Sequence, residues 1–192
     1  MNGFGRDKEN TLASLDGAIR AGKVDSGVIP LLDAINSLDD YYTTSSCAGR
    51  TQLLEVESIG RKDRSRWLGK WHSPPEIGEV AEAMEGYREG LLLLQVQSPI
   101  IHIACRDLDA AVAMRNTAVN SGLKYSSIRS VTPARVIVEV LDSGRLDVPL
   151  GRDGVLVAPL SVVAMTLDIG RKIMEKASKR LERFRDAVAS IQ

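Results

Sequence analysis

Between Leu91 and Ala104 the sequence reads LLLLQVQSPIIHIA, two apolar runs parted by Ser98-Pro99. Runs of this length, continuous rather than alternating, suit buried strands, and the proline biases Ser98 toward an extended link between Leu91–Val96 and Ile100–Ala104. On the C-terminal side, Asp107 can cap a helix that runs to Ser121, with Gly122 as its stop. Strand signals follow at Ser127–Val131, Arg135–Leu141, Leu146–Pro149 and Val155–Ala158, with Asp142-Ser143-Gly144 as a turn, so that 127–158 reads as a meander.

On the N-terminal side, a helix is predicted from about Glu76 to Arg88, preceded by an irregular basic segment over 60–75 that ends in Trp71-His72-Ser73-Pro74-Pro75. Tyr41–Ser45 and Thr51–Ile59 are strand-like, and the turn signal Ala48-Gly49 between them predicts a hairpin with Cys47-Ala48-Gly49-Arg50 at its tip. Residues 7–21 read as a helix, and Pro30 opens another through Leu31, Leu32 and Ile35. At the far end, Leu160, Val163, Leu167, Gly170, Met174, Ala177, Leu181, Phe184, Val188 and Ile191 recur at spacings of three and four. They specify a long helix with one apolar seam, roughly 45 Å in length. Gly170 interrupts that seam, which points to close packing against the sheet, to an approaching ligand or to a bend.

The expected fold is therefore a single domain over 1–192 of α/β (α+β) class. It has a mixed, largely antiparallel sheet, flanking helices and a long C-terminal helix. It is not of Rossmann type, because Gly3-Phe4-Gly5 has neither a strand before it nor a third glycine, and no Walker lysine loop is present.

The 192 residues carry 25 Lys+Arg against 25 Asp+Glu, which argues against a uniformly basic nucleic-acid coat. No run is long and apolar enough to span a membrane, and the polar start lacks a signal-peptide core, so a cytoplasmic protein is expected. Two cysteines, Cys47 and Cys105, make no disulfide framework, and without Cys-x-x-Cys spacing no metal is expected. Zero net charge hides an alternation: segments 1–40, 41–72, 73–160 and 161–192 carry −3, +3, −3 and +3. Segment 41–72 also holds Tyr41, Tyr42, Trp67 and Trp71, half of the aromatics. A basic segment with aromatics is the local composition of an RNA contact, although a solvated loop with core aromatics has it too. The two positive blocks are expected to meet on one face around Ser45–Arg50.

Thr43-Thr44-Ser45-Ser46-Cys47-Ala48-Gly49-Arg50 gathers four hydroxyls, a thiol and a fixed planar cation. It can wrap an anionic or heteroatom-rich ligand, with Gly49 admitting close backbone approach, or be a polar turn around a buried cysteine. His72 and His102 are the only histidines. His102 shares a strand face with Ile100 and Ala104, as either a hydrogen-bonded core group or a base. Cys47 with a histidine would imitate a nucleophile pair, but no third orienting residue stands out.

That Thr43–Arg50 run resembles the signature of the tRNA wybutosine-synthesizing protein 3 family. The resemblance extends through Trp71-His72, Pro99-Ile100-Ile101-His102-Ile103-Ala104-Cys105-Arg106-Asp107-Leu108, Ala118, Ser121-Gly122-Leu123, Asp147-Val148-Pro149-Leu150 and Lys179-Arg180-Leu181-Glu182-Arg183-Phe184. It covers the chain in collinear order from about residue 25.

The resemblance implies methyl transfer from S-adenosylmethionine to ring nitrogen N(4) of the tricyclic wyosine precursor beside the anticodon of phenylalanine tRNA. That would proceed without a metal or an obligatory protein partner. His102, Ser46 and Arg50 are then the expected catalytic group. His102, or else His72, would assist loss of the acceptor's proton, and Ser45, Ser46 and Arg50 would orient the base or the methionine carboxylate. Ser45, Cys47, Gly49, His72 and Pro99 are expected to bind substrate or cofactor, with Cys47 packing at the loop base. Arg64, Arg66, Lys70, Lys179, Arg180 and Arg183 are expected to meet RNA phosphates. The alternative is a non-catalytic tRNA-binding or scaffolding protein of the same fold; a small-molecule enzyme built on Cys47 and a histidine is a third.

Overall fold

The two apolar runs become interior strands of two separate antiparallel sheets. The computed structural model describes residues 3–57 and 65–191. In chain order the elements are α1 (Gly3–Arg20), a short 3-10 turn (Ser26–Val28), α2 (Ile29–Asn36), β1 (Tyr41–Cys47), β2 (Arg50–Val56) and β3 (Ser65–Trp71). There follow α3 (Ile77–Met84), β4 (Leu91–Gln97), β5 (Ile100–Cys105), α4 (Leu108–Asn120), β6 (Ser127–Val131), β7 (Val136–Leu141), β8 (Arg145–Arg152), β9 (Val155–Leu156) and α5 (Leu160–Val188). The expected α+β class, the antiparallel pairing and the long C-terminal helix are all found, and among the described residues no Rossmann-type parallel sheet is present.

Two compact units share the chain. The first takes the chain up to Ala48, then Pro99–Ser143, then Ala177 onward; the second takes Gly49–Ser98 and Gly144–Lys176. The first holds the sheet β1-β5-β7-β6 and the second the sheet β3-β2-β4-β8-β9. In the first, Ile101, Ile103, Val138 and Val140 on one sheet face bury against α2, α4 and the last turns of α5 through Leu32, Ile35, Met114 and Phe184. The opposite face receives α1 through Phe4, which packs with Tyr42 and Ala104. In the second unit, Leu53, Leu92, Leu94 and Leu150 bury against Val80 and Met84 of α3 and Val163 and Leu167 of α5.

Local signals set the helix ends. The Asp107 carboxylate accepts from Ala110 N at 2.9 Å, and Gly122, at φ 101°, turns the chain out of α4. At α3, Glu76 and Glu79 form a reciprocal capping box. The α5 seam is buried at Val163, Leu167, Ala177, Leu181, Phe184 and Val188. Gly170 is explained by close packing against the sheet, since a Cβ there would stand 2.7 Å from Val96 Cγ2.

Strand pairing departs from the sequence reading in three places. There is no hairpin at Cys47–Arg50: Cys47 pairs with Ile100 in the first sheet, whereas Arg50 pairs with Gln97 in the second. Nor is 127–158 one meander, because β7 and β8 lie in different sheets. The segment expected to be irregular contains β3, which pairs with β2 from Thr51↔Trp71 to Val56↔Ser65. Turn chemistry marks where the chain bends but not which distant strand supplies the ladder. Ile59 and Arg64 lie outside the described residues. Among the described residues, no helix is long and apolar enough to cross a membrane, and no three His, Cys, Asp or Glu side chains group as metal ligands.

Candidate active site

Antiparallel register lines up three polar side chains across the first sheet. Ser45 stands opposite His102, and His102 opposite Glu139. Ser45 Oγ lies 3.0 Å from His102 Nδ1, and His102 Nε2 lies 2.9 Å from Glu139 Oε2. A carboxylate only accepts, so Nε2 carries the hydrogen of that bond; in a neutral ring this leaves Nδ1 as an acceptor toward the serine hydroxyl. Arg129 approaches the other Glu139 oxygen at 3.9 Å. The His102 side chain is 32% exposed and that of Glu139 13%, so the line is half-covered yet reachable.

The line adjoins a part of the sheet that α1 covers. Phe4 and Leu12 pack over Tyr42, Ala104 and Ile137, one cross-strand row away from His102 and Glu139. Beside Ser45 runs an open groove of about 340 Å³, bounded by Thr11, Ser14, Leu15 and Ala18 of α1, Val24, and the strand residues Thr43–Ser46. Its volume is that of a small-molecule site, and its lining mixes apolar wall with hydroxyls.

Two supports shape β1 here. The Asn36 side chain accepts from Thr43 N at 2.8 Å and donates to Thr43 Oγ1 at 3.0 Å, next to a register shift between Thr43 and Ser45. Asp25 accepts from Ala48 N at 2.8 Å, fixing the backbone that follows the strand.

Ser45, Ser46, Cys47, Pro99 and His102 all belong to the first unit. Cys47 and Pro99 are buried. Burial, reinforced by Asp107, pushes the Cys105 thiol up to about 12, so it stays protonated at neutral pH and is no nucleophile. Gly49, Arg50 and His72 belong to the second unit. Gly49 has φ 92°, and a Cβ there would meet the Gln97 carbonyl at 2.7 Å, so glycine is required for the fold at this position whatever it does for a ligand.

The expected phosphate contacts divide. Lys70, Lys179 and Arg183 are exposed. The Arg66 guanidinium grips both oxygens of buried Glu55, at 3.1 and 3.0 Å, and the Gly86 carbonyl at 2.7 Å. Burial alone would raise the Glu55 carboxyl, but Arg66 and the backbone N–H groups of Arg88 and Glu89 outweigh it and hold the group below the ordinary carboxylate range. Arg180 holds Asp142 at 2.6 Å.

The chain matches the family Methyltransferase TYW3 over residues 6–190. It belongs to the TYW3 methyltransferase family. A Methanocaldococcus jannaschii relative named tRNA(Phe) 7-((3-amino-3-carboxypropyl)-4-demethylwyosine(37)-N(4))-methyltransferase is 42% identical over 183 residues, which is 95% of each chain. A Pyrococcus furiosus relative with the same name, numbered 1, is 40% identical over 189 residues, covering 98% of this chain and 93% of its own. The solved structure of the PH1069 protein from Pyrococcus horikoshii aligns with a TM-score of 0.91 at 38% identity, covering 97% of this chain and 96% of that one. A hypothetical protein from Aeropyrum pernix aligns at 0.75 and 27% identity, over 86% and 97%. In this member of the TYW3 family, Ser45 and Ser46 help line the groove, and Ser45 also bonds His102.

Glu139, Asp25 and Asn36 are the residues that sequence reasoning missed. Glu139 did leave a trace, as the one charged side chain in the apolar strand Val136–Leu141.

Proposed function

We propose that this chain transfers a methyl group from S-adenosylmethionine to ring nitrogen N(4) of the tricyclic wyosine precursor next to the anticodon of tRNA(Phe). The observation that carries this reading is the Ser45–His102–Glu139 line beside an open groove, in a chain that aligns almost end to end with relatives named as tRNA(Phe) demethylwyosine N(4)-methyltransferases.

The groove fits the cofactor in kind. Leu15, Ala18 and Val24 offer an apolar wall for a purine, and Thr43, Thr44, Ser45 and Ser46 offer hydroxyls for the polar parts. When bound, S-adenosylmethionine supplies the methyl group from its sulfonium. The chain's own part is positional and protolytic. The acceptor nitrogen carries a hydrogen that must leave as the new N–C bond forms. The Ser45 hydroxyl can relay that proton to His102 Nδ1, and Glu139 stabilises the resulting imidazolium through Nε2. Thr43 and Ala48, tied by Asn36 and Asp25, keep Ser45 and Ser46 in register against the groove. The expected roles of Gly49, Arg50 and His72 concern the second unit and do not enter this step.

Calorimetric titration with S-adenosylmethionine tests the reading. One molecule is expected to bind per chain, and Ala18→Phe, which fills the groove, is expected to weaken binding more than tenfold while the circular dichroism stays native. Absence of binding to the wild-type protein would leave the scaffolding alternative in its place.

A further inference from the structure

The second unit has a sheet face that the methyl-transfer reading does not use. Leu53, Leu92 and Leu94 point to the core under α3 and α5, so the residues between them on β2 and β4 line the opposite face. There the register builds two adjoining rows. Trp67, Leu54 and Leu93 make an apolar row, and Lys70, Gln52, Gln95 and Asp147 a polar one. Of the four aromatics in the basic segment, Tyr41 and Tyr42 are buried and Trp71 packs on the core, whereas Trp67 is 61% exposed.

The Trp67 ring is held in place. Its Nε1–H donates to Gln52 Oε1 at 3.3 Å, Gln52 Nε2 donates to Gln95 Oε1 at 2.7 Å, and Gln95 Nε2 donates to Asp147 Oδ1. Arg145 also donates to Asp147, so the carboxylate at the end of the chain is neutralised and does not repel an anion. A directional chain of amides thus anchors an indole whose surface is left largely in water. Leaving that much apolar surface wet is unfavourable, and pinning it removes the ordering cost of a later contact. A flat, fixed aromatic with an exposed lysine one row away is the equipment for stacking an unpaired base while meeting its phosphate.

We propose that Trp67 is a stacking platform for an unpaired base of the RNA substrate, with Lys70 contacting the adjoining backbone. The proposal rests on the tRNA reading above and adds a contact surface to it.

The test compares wild type, Trp67→Ala, Trp67→Phe and Lys70→Ala for binding of a hypomodified tRNA(Phe), with methyl transfer assayed in parallel. Trp67→Ala is expected to raise the tRNA Kd about tenfold, the scale of one stacked base, with the kinetic loss falling on KM for tRNA. Trp67→Phe should recover most of the loss, and Lys70→Ala should reduce the salt dependence of binding. An unchanged Kd in a natively folded Trp67→Ala variant would overturn the proposal. So would a wild-type dimer that Trp67→Ala dissociates in sedimentation, which would make the face a contact between copies. Wild-type binding without methyl transfer would instead refute the methyltransferase reading and leave this surface standing.

Discussion

His102→Ala is expected to lower kcat for methyl transfer at least a hundredfold, within the range that a positioned base contributes, with little change in KM for tRNA. His102 is the link of the line, its two ring nitrogens already committed to Ser45 and Glu139. Alanine removes the acceptor and leaves Glu139, 13% exposed, without its imidazole. Glu139→Gln is the companion variant. Glutamine keeps the size of the side chain but can offer its amide N–H to Nε2, which favours the tautomer with the hydrogen on Nδ1, where the serine needs an acceptor. A smaller loss of kcat than in His102→Ala is expected there, read from single-turnover rates at saturating tRNA and cofactor. Wild-type rates in both variants would remove His102 from the chemistry.

Arg180→Ala is expected to cost about 3 kcal/mol of folding free energy, because it leaves a buried carboxylate without its cation. Asp142 has a side chain only 1% exposed, and its Oδ1 takes Arg180 Nη1 at 2.6 Å and Ser143 N at 2.6 Å. Lys179→Ala, one position earlier on the exposed side of α5, should stay within about 0.5 kcal/mol of wild type. The double variant Arg180→Ala with Asp142→Asn should regain part of the loss, as the uncompensated charge is gone. Urea melts followed by circular dichroism measure all three. We propose that each is a single transition, as the one-domain expectation requires, since the chain crosses between the two units four times and neither is a contiguous segment. If Lys179→Ala and Arg180→Ala proved equally mild, the ion pair would be an ordinary surface contact.

Local signals were the legible part of this fold. Asp107 and Gly122 bracket α4, Pro30 lies in the first turn of α2, and the three-four spacing of the C-terminal seam gives α5 with Gly170 against Val96. These depend on a few neighbouring residues. Pairing does not. Ala48-Gly49 has the chemistry of a hairpin turn, yet β1 and β2 do not pair with each other: β1 pairs with the distant β5, and β2 lies between β3 and the distant β4. The same distance dependence governs the site. His102 could be singled out as a lone imidazole in an apolar strand, and Ser45 from the hydroxyl run. The link from His102 to Glu139, 37 residues later, exists only through strand register, and Asp25 reaches Ala48 across 23 residues. Charge was partly legible. The positive blocks exist, but Arg66, though exposed, is engaged by Glu55 and Arg180 by Asp142, whereas Lys70, Lys179 and Arg183 of the cations expected to meet RNA are exposed.

The most direct test of the central claim is mass spectrometry of nucleosides from hypomodified tRNA(Phe) incubated with the protein and S-adenosylmethionine. The tricyclic base is predicted to gain the mass of one methyl group in place of a hydrogen, at N(4), with the wild-type protein and at least a hundredfold more slowly with His102→Ala. An unmodified base after incubation with wild-type protein that binds both the tRNA and the cofactor would contradict the account.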